Sequence, residues 1–192
     1  MNLPNKITIL RIIMIPIFMI FIIPLSIMYP DVKVIGIDLY SLIAALVFIL
    51  AAATDGIDGY IARKNDLVTN FGKFLDPIAD KLLITGALLA LIERGDVSSW
   101  FVMIILAREF IVTAFRLIAA SEGIVIAASK LGKLKTVFQI VAVAMLILKG
   151  WPLTLLNSNL YLVTDIIMII AVLITLISGV EYIVKNAKVL KN

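Results

Sequence analysis

Residues 55–80 read DGIDGYIARKNDLVTNFGKFLDPIAD and lie between two apolar runs, LYSLIAALVFILAAAT before them and KLLITGALLALI after them. Each run, extended by the part of the segment that continues it, approaches the ~20 residues an α-helix needs to cross about 30 Å of hydrocarbon. Asp55 and Asp58 are spaced i, i+3 and Asp76 and Asp80 are spaced i, i+4, so each pair occupies one face of its helix. A connection of about ten residues makes the two helices antiparallel neighbours. The two acidic faces are therefore predicted to point at one another, with four carboxylates in a small volume.

The whole chain agrees with this reading. Of its 192 residues, 62% are apolar and 16% charged, with a mean hydropathy of +1.14. A soluble domain carries about 45–50% and about 25%, so a water-soluble globule is excluded. Six segments read as spans: Ile7 to Ile27, Leu39 to Ala62, Phe74 to Ile92, Trp100 to Ala120, Leu134 to Leu148 and Leu160 to Val184. The prediction is an all-α polytopic membrane protein with six transmembrane helices, a single domain over residues 1–192 without internal repeats or linkers. The first run follows Lys6 and Arg11 as a signal peptide would, but its length, Pro16 and Pro24, and the lack of a small-residue cleavage site favour a retained helix.

Basic residues report orientation before they report any partner. Of seventeen Lys and Arg, fourteen fall toward one side, and only Lys33, Arg94 and Lys149 toward the other. This places both termini and the loops around residues 63–73 and 121–133 in the cytoplasm, with Trp100, Trp151 and Tyr161 as aromatic anchors at the outer interface. The net charge of +4 is thereby read as topology rather than as affinity for nucleic acid. The chain contains neither cysteine nor histidine, which excludes disulfides, thiolate or imidazole metal ligands and a histidine nucleophile. Carboxylates, hydroxyls, Lys and Arg are left to do the chemistry.

A charged side chain near the bilayer centre costs about 2.5–3.5 kcal/mol, so four unpaired aspartates would cost on the order of 10 kcal/mol. Arg63, Lys64, Lys73 and Lys81 offer one compensation, as juxtamembrane ion pairs. Two divalent cations offer another, and an all-oxygen site favours hard ions, Mg2+ or Mn2+ first. Such a pair suits phosphoryl transfer, where it bridges phosphate oxygens and neutralises developing charge.

A resemblance bears on the choice. The segment has the form D-x2-D-G-x2-A-R-x8-G-x3-D-x3-D and resembles the CDP-alcohol phosphotransferase signature at every fixed position. The resemblance implies an enzyme that splits a CDP-linked alcohol, passes the phosphoalcohol unit to a second hydroxyl and releases CMP. It implies Asp55, Asp58 and Asp76 as metal ligands, with Asp80 at the same site as general base and a further ligand. Gly56, Gly59 and Ala62 would let a nucleotide diphosphate approach the helix, or serve close helix packing. Arg63 can grip phosphate bidentately, or act as a positive-inside anchor. Gly72 would admit the cytidine or let the loop turn. Pro77 is expected early in its helix, where a missing N–H is tolerated. Asn5, Thr8 and Arg11 resemble the family's P-N-x2-T-x2-R pattern and would line the CDP-diacylglycerol pocket; the alternative is a helix cap with Arg11 snorkelling to headgroups. Family members commonly form homodimers, and the lipid donor implies a pocket open to the bilayer in the bacterial cell membrane.

The acceptor is read from the fourth and fifth spans. Arg108 and Arg116 in AREFIVTAFR, followed by Lys133, Lys135, Thr136 and Gln139 in SKLGKLKTVFQ, form a basic pocket that implies an anionic acceptor. Arg108 and Glu109 point about 100° apart and are not expected to pair. These segments are similar to those of the bacterial phosphatidylglycerophosphate synthases, which implies sn-glycerol 3-phosphate as acceptor. Inositol 1-phosphate, phosphatidylglycerol or serine would be the alternatives for the same chemistry. A membrane ion transporter also uses intramembrane carboxylates, though the inverted repeats common in that class are not evident. A non-catalytic scaffold leaves the aspartates without purpose.

Overall fold

A computed structural model describes residues 2–25, 28–29, 32–64, 70–121, 123, 129–156 and 162–186. For Leu3, Pro4, residues 55–64, Asn70, Phe71, Lys73, Phe74, Asp76, Pro77, Ser121 and Lys130 the description covers the backbone alone. The described chain is almost wholly helical. Helix α1 is Leu3–Ile20, α2 Leu39–Lys64, α3 Asn70–Glu93, α4 Ser99–Ser121, α5 Lys130–Ile147, α6 the single turn Leu153–Leu156, and α7 Leu162–Asn186. One antiparallel hairpin, β1 (Lys33–Val34) and β2 (Ile37–Asp38), precedes α2, paired Lys33 with Asp38 and Val34 with Ile37.

Local chemistry sets the helix ends. The Asn2 side chain accepts from the Asn5 N–H at 3.3 Å and starts α1. Downstream, α1 loosens into a π-helical turn over Phe21–Leu25, where Pro24 offers no N–H. Asp38 caps α2, its carboxylate accepting from Ser41 N–H at 2.8 Å and Tyr40 N–H at 3.4 Å. Ser129 caps α5 by accepting from Gly132 N–H at 3.0 Å. The fifth helix therefore begins four residues before the predicted Leu134 and takes Lys133 and Lys135 into its first turns. The other long helices lie close to the predicted segments, and the connection between α2 and α3 is residues 65–69, outside the described set.

Helix α1 packs against α2 and α3, and α7 against α5 and α4. An apolar core joins them: Phe18 meets Phe48 with ring centroids 5.9 Å apart, and Ala87, Leu88, Ala90 and Leu91 of α3 are fully buried, while a smaller cluster of Val112, Phe115 and Tyr182 lies between α4 and α7. At the far end from the aspartates, Arg94 closes the bundle. It donates to Ser41 Oγ at 3.0 Å, to the Leu146 and Ile147 carbonyls at 2.8 and 3.2 Å, and pairs with Asp96.

The exterior is apolar. Leu10, Ile13 and Ile17 on α1, Leu46 and Leu50 on α2, Met103 and Phe110 on α4, and Leu173 and Ile177 on α7 are all exposed. Meanwhile Arg11, Lys135, Gln139, Thr175 and Ser178 are buried. That arrangement suits hydrocarbon outside the bundle better than water. Among the described residues, two helices qualify by length and composition to cross a membrane, Asn5–Leu25 and Leu162–Asn186, and Leu39–Thr54 is a shorter apolar stretch.

Candidate functional site

Helix geometry puts the two halves of the acidic segment in register. Asp58 and Asp55 precede the end of α2 at Lys64 by roughly 9 and 13.5 Å of helix rise, and Asp76 and Asp80 follow the start of α3 at Asn70 by roughly 9 and 15 Å. The acidic positions thus stand at matching heights above the 65–69 connection. The side chains of Asp55, Asp58, Asp76, Gly56, Gly59, Ala62 and Arg63 lie outside the described set. Asp80 is exposed, and Gly72 is a buried position in the first turn of α3, not in the connection. Pro77 falls two turns into α3, past the first turn where a missing N–H is tolerated, a correction to the expected position.

From α1, Asn5, Thr8 and Arg11 all face inward, continuous with the buried stripe Ile15, Phe18 and Ile22. Arg11 is wholly buried, and its Nε donates to Thr54 Oγ1 at 3.3 Å, next in sequence to Asp55. Thr54 Oγ1 in turn donates to the Ala51 carbonyl at 2.6 Å. The snorkelling alternative for Arg11 is thereby overturned.

A narrow cleft opens beside Asp80. It is bordered by Asp80, Lys81 and Thr85 of α3, Glu109 of α4, and Lys135, Thr136 and Gln139 of α5, with Ile84, Leu106 and Phe110 as apolar walls. Lys135 is buried and bonded to the Glu109 carboxylate, and it lies within electrostatic reach of Arg108 and Asp80. Gln139 donates from Nε2 to Thr175 Oγ1 at 3.1 Å, leaving its carbonyl end for other partners, and Thr136 Oγ1 donates to the Gly132 carbonyl at 3.2 Å.

Arg108 reaches this cleft through its neighbour. Contrary to the expectation from helical angle, its Nη1 pairs with Glu109 Oε1 at 3.3 Å, while Nη2 donates to Ser178 Oγ at 2.8 Å. Gly179 makes room for it: a Cβ there would fall 2.9 Å from Arg108 Cγ.

Arg108 itself does not line the cleft, and two further basic residues lie away from it. Lys133 is exposed, and Arg116 lies over the Tyr182 ring, its guanidinium carbon 5.7 Å from the centroid and its Nε donating to the phenol oxygen at 3.4 Å. Sequence reasoning gave no site role to Glu109, Lys81, Thr85 or Ser178. The signal for Glu109 was present: an acid inside the apolar run of α4 needs a cation.

A family model for CDP-alcohol phosphatidyltransferase matches residues 1–177. The chain is 47% identical over 191 residues to the CDP-diacylglycerol–glycerol-3-phosphate 3-phosphatidyltransferase of Bacillus subtilis, covering 99% of this chain and 97% of that one. It is 42% identical to the protein of the same name from Rickettsia bellii, with 94% and 93% covered. It is 38% identical to a probable phosphatidylglycerophosphate synthase of Mycobacterium tuberculosis, with 96% and 81% covered. With the family model spanning residues 1–177 and a relative 47% identical over 191 residues, the chain belongs to the CDP-alcohol phosphatidyltransferase family of enzymes.

Proposed function

We propose that this enzyme transfers the phosphatidyl group of CDP-diacylglycerol to the 1-hydroxyl of sn-glycerol 3-phosphate, giving phosphatidylglycerophosphate and CMP. The observation that carries the reading is the buried, Glu109-bound Lys135 bordering the same cleft as Asp80. A cation held there can bind the phosphate of a small acceptor while its hydroxyl points at the acidic segment. The names of the relatives support the same pair of substrates.

Six helices, α1 to α5 and α7, are read as spans, with the basic-residue bias placing both termini and the acidic segment at the cytoplasmic face of a bacterial membrane. A homodimeric assembly rests on the family resemblance.

The acidic segment fits divalent ions in chemistry and in register: an all-carboxylate donor set on two antiparallel helices, its members at matching heights. Asp55, Asp58, Asp76 and Asp80 would hold Mg2+ or Mn2+, and such ions supply charge neutralisation at the donor's diphosphate. Arg63 would hold a phosphate oxygen, and Gly56, Gly59, Ala62 and Gly72 would leave space for the nucleotide. Asn5, Thr8 and Arg11 close that end from α1. Asp80 accepts the proton of the acceptor hydroxyl, whose oxygen attacks the lipid-bearing phosphorus, and CMP departs. Lys135, with Arg108 behind it, Thr136 and Gln139 hold the acceptor, while Arg116 and Lys133 add positive field around the pocket that draws in an anion.

An acceptor panel with the purified protein tests this. With CDP-diacylglycerol and Mg2+ or Mn2+, glycerol 3-phosphate should release CMP, and serine, inositol 1-phosphate and phosphatidylglycerol should not. CMP release with serine in preference to glycerol 3-phosphate would overturn the acceptor assignment, and metal-dependent ion flux without CMP would overturn the enzyme reading.

A further inference from the structure

Glu109 takes no part in the transfer just described, yet it is the centre of the charge network beside it. Its Oε1 accepts from Lys135 Nζ on α5 and from Arg108 Nη1 on α4, and Arg108 continues to Ser178 on α7. That carboxylate oxygen ties α4 to α5, and Arg108 carries the network on to α7. The three side chains are largely buried, at 20%, 6% and 11% exposure for Glu109, Lys135 and Arg108. Two cations and one anion keep a net positive charge, enough to attract a phosphate, while neither cation is free to move.

Freedom matters most for Lys135. Its flexible stem carries a point charge that turns toward the strongest nearby anion. Asp80 is within electrostatic reach and borders the same cleft. An ammonium released from Glu109 would be drawn to Asp80, where it would neutralise a carboxylate needed to accept a proton.

We propose that Glu109 is a positioning residue: by holding Lys135 and Arg108 on one carboxylate, it presents the ammonium to the acceptor's phosphate and keeps it off Asp80. This rests on the phosphorylated acceptor proposed above. The specificity for that acceptor then depends on an acid that repels it, because the acid fixes the cations that bind it.

The test is steady-state kinetics on the purified full chain, varying each substrate separately, for wild type, Glu109→Gln, Glu109→Asp, Lys135→Ala and the Glu109→Gln/Lys135→Ala double variant. Glu109→Gln should raise KM for glycerol 3-phosphate about tenfold and leave KM for CDP-diacylglycerol within about twofold. Glu109→Asp, which keeps the charge, should recover part of the loss. In the Lys135→Ala background the Gln substitution should add less than about twofold, because its effect runs through that lysine. A normal glycerol 3-phosphate KM in Glu109→Gln, an equal rise for both substrates, or effects that multiply in the double variant would overturn the inference. Should Glu109→Gln fail to elute as wild type, Glu109→Ala takes its place in the same comparison, and an unchanged KM for glycerol 3-phosphate there sinks the inference. Wild type that uses only uncharged acceptors overturns the acceptor assignment and this inference together, whereas wild type that uses glycerol 3-phosphate beside an unresponsive Glu109→Gln overturns the inference alone.

Discussion

Gly179 of α7 lies against the stem of Arg108, so close that a Cβ there would fall 2.9 Å from Arg108 Cγ. The atom it meets is near the backbone of α4, and the guanidinium beyond it is tethered by Ser178 and Glu109. Neither end of the side chain can give way cheaply. Gly179→Ala gains about 1 kcal/mol in helix propensity but overpacks the α4–α7 contact at about 1–3 kcal/mol. The clash should win: lower thermal stability in detergent, and a higher KM for glycerol 3-phosphate as Arg108 is displaced from Glu109. Unchanged stability and kinetics would mean that α4 and α7 are not packed this closely.

Arg11 supplies a second discrimination. A snorkelling arginine tolerates lysine, because both carry a charge to the headgroups. A buried arginine that donates from Nε to Thr54 does not, since lysine has no donor at that position. Arg11→Lys should therefore lose about tenfold or more in kcat/KM. Wild-type turnover in that variant would return Arg11 to the surface.

The lysines of α5 separate in the same way. Lys135 is buried at the cleft, and Lys133, two residues earlier, is exposed. Lys135→Ala should raise KM for glycerol 3-phosphate by about tenfold or more and affect CDP-diacylglycerol little, while Lys133→Ala stays within about threefold for both. Equal effects would show that positive charge at the cytoplasmic face, not a particular ammonium, recruits the acceptor.

Metal removal tests the acidic segment. Excess chelator should abolish CMP release, and Mg2+ or Mn2+ should restore it. Asp76→Asn should lose activity at every ion concentration, since one carboxylate fewer leaves the donor set short. Turnover near wild type in either case would reject the ligand assignment.

Much of this architecture was legible in the residues, for identifiable reasons. Hydropathy located the long helices, and the spacing of Asp55, Asp58, Asp76 and Asp80 falls on two of them, α2 and α3. Other features depend on neighbours that no local pattern reveals. Arg108 and Glu109 diverge on an ideal helix, but long side chains converge when Ser178 and Lys135 approach from two other helices. Arg116 and Lys135 read as one basic cluster, yet Tyr182 of α7 takes the first away. Helix α5 starts before its apolar run because lysines lower hydropathy without ending a helix; the local signal for its start is Ser129, a cap for Gly132.

Arg94 carries the last prediction, at the opposite end of the bundle. Fourteen residues of α3 and the turn that follows it separate Arg94 from Asp80, roughly 21 Å at helical rise. Its guanidinium supplies donors to the last carbonyls of α5, where the helix dipole is negative, and to Ser41 near the start of α2. Hydrogen bonds to a charged group contribute about 1.5–3 kcal/mol each, and removing the arginine also leaves Asp96 without its cation. Arg94→Ala should therefore shorten the half-life of activity on heating in detergent by well over about tenfold, yet leave KM for both substrates unchanged in the surviving fraction. A variant that keeps its heat resistance but binds glycerol 3-phosphate poorly would reverse the assignment, making Arg94 part of the working end rather than the clamp that holds α2, α3 and α5 together behind it.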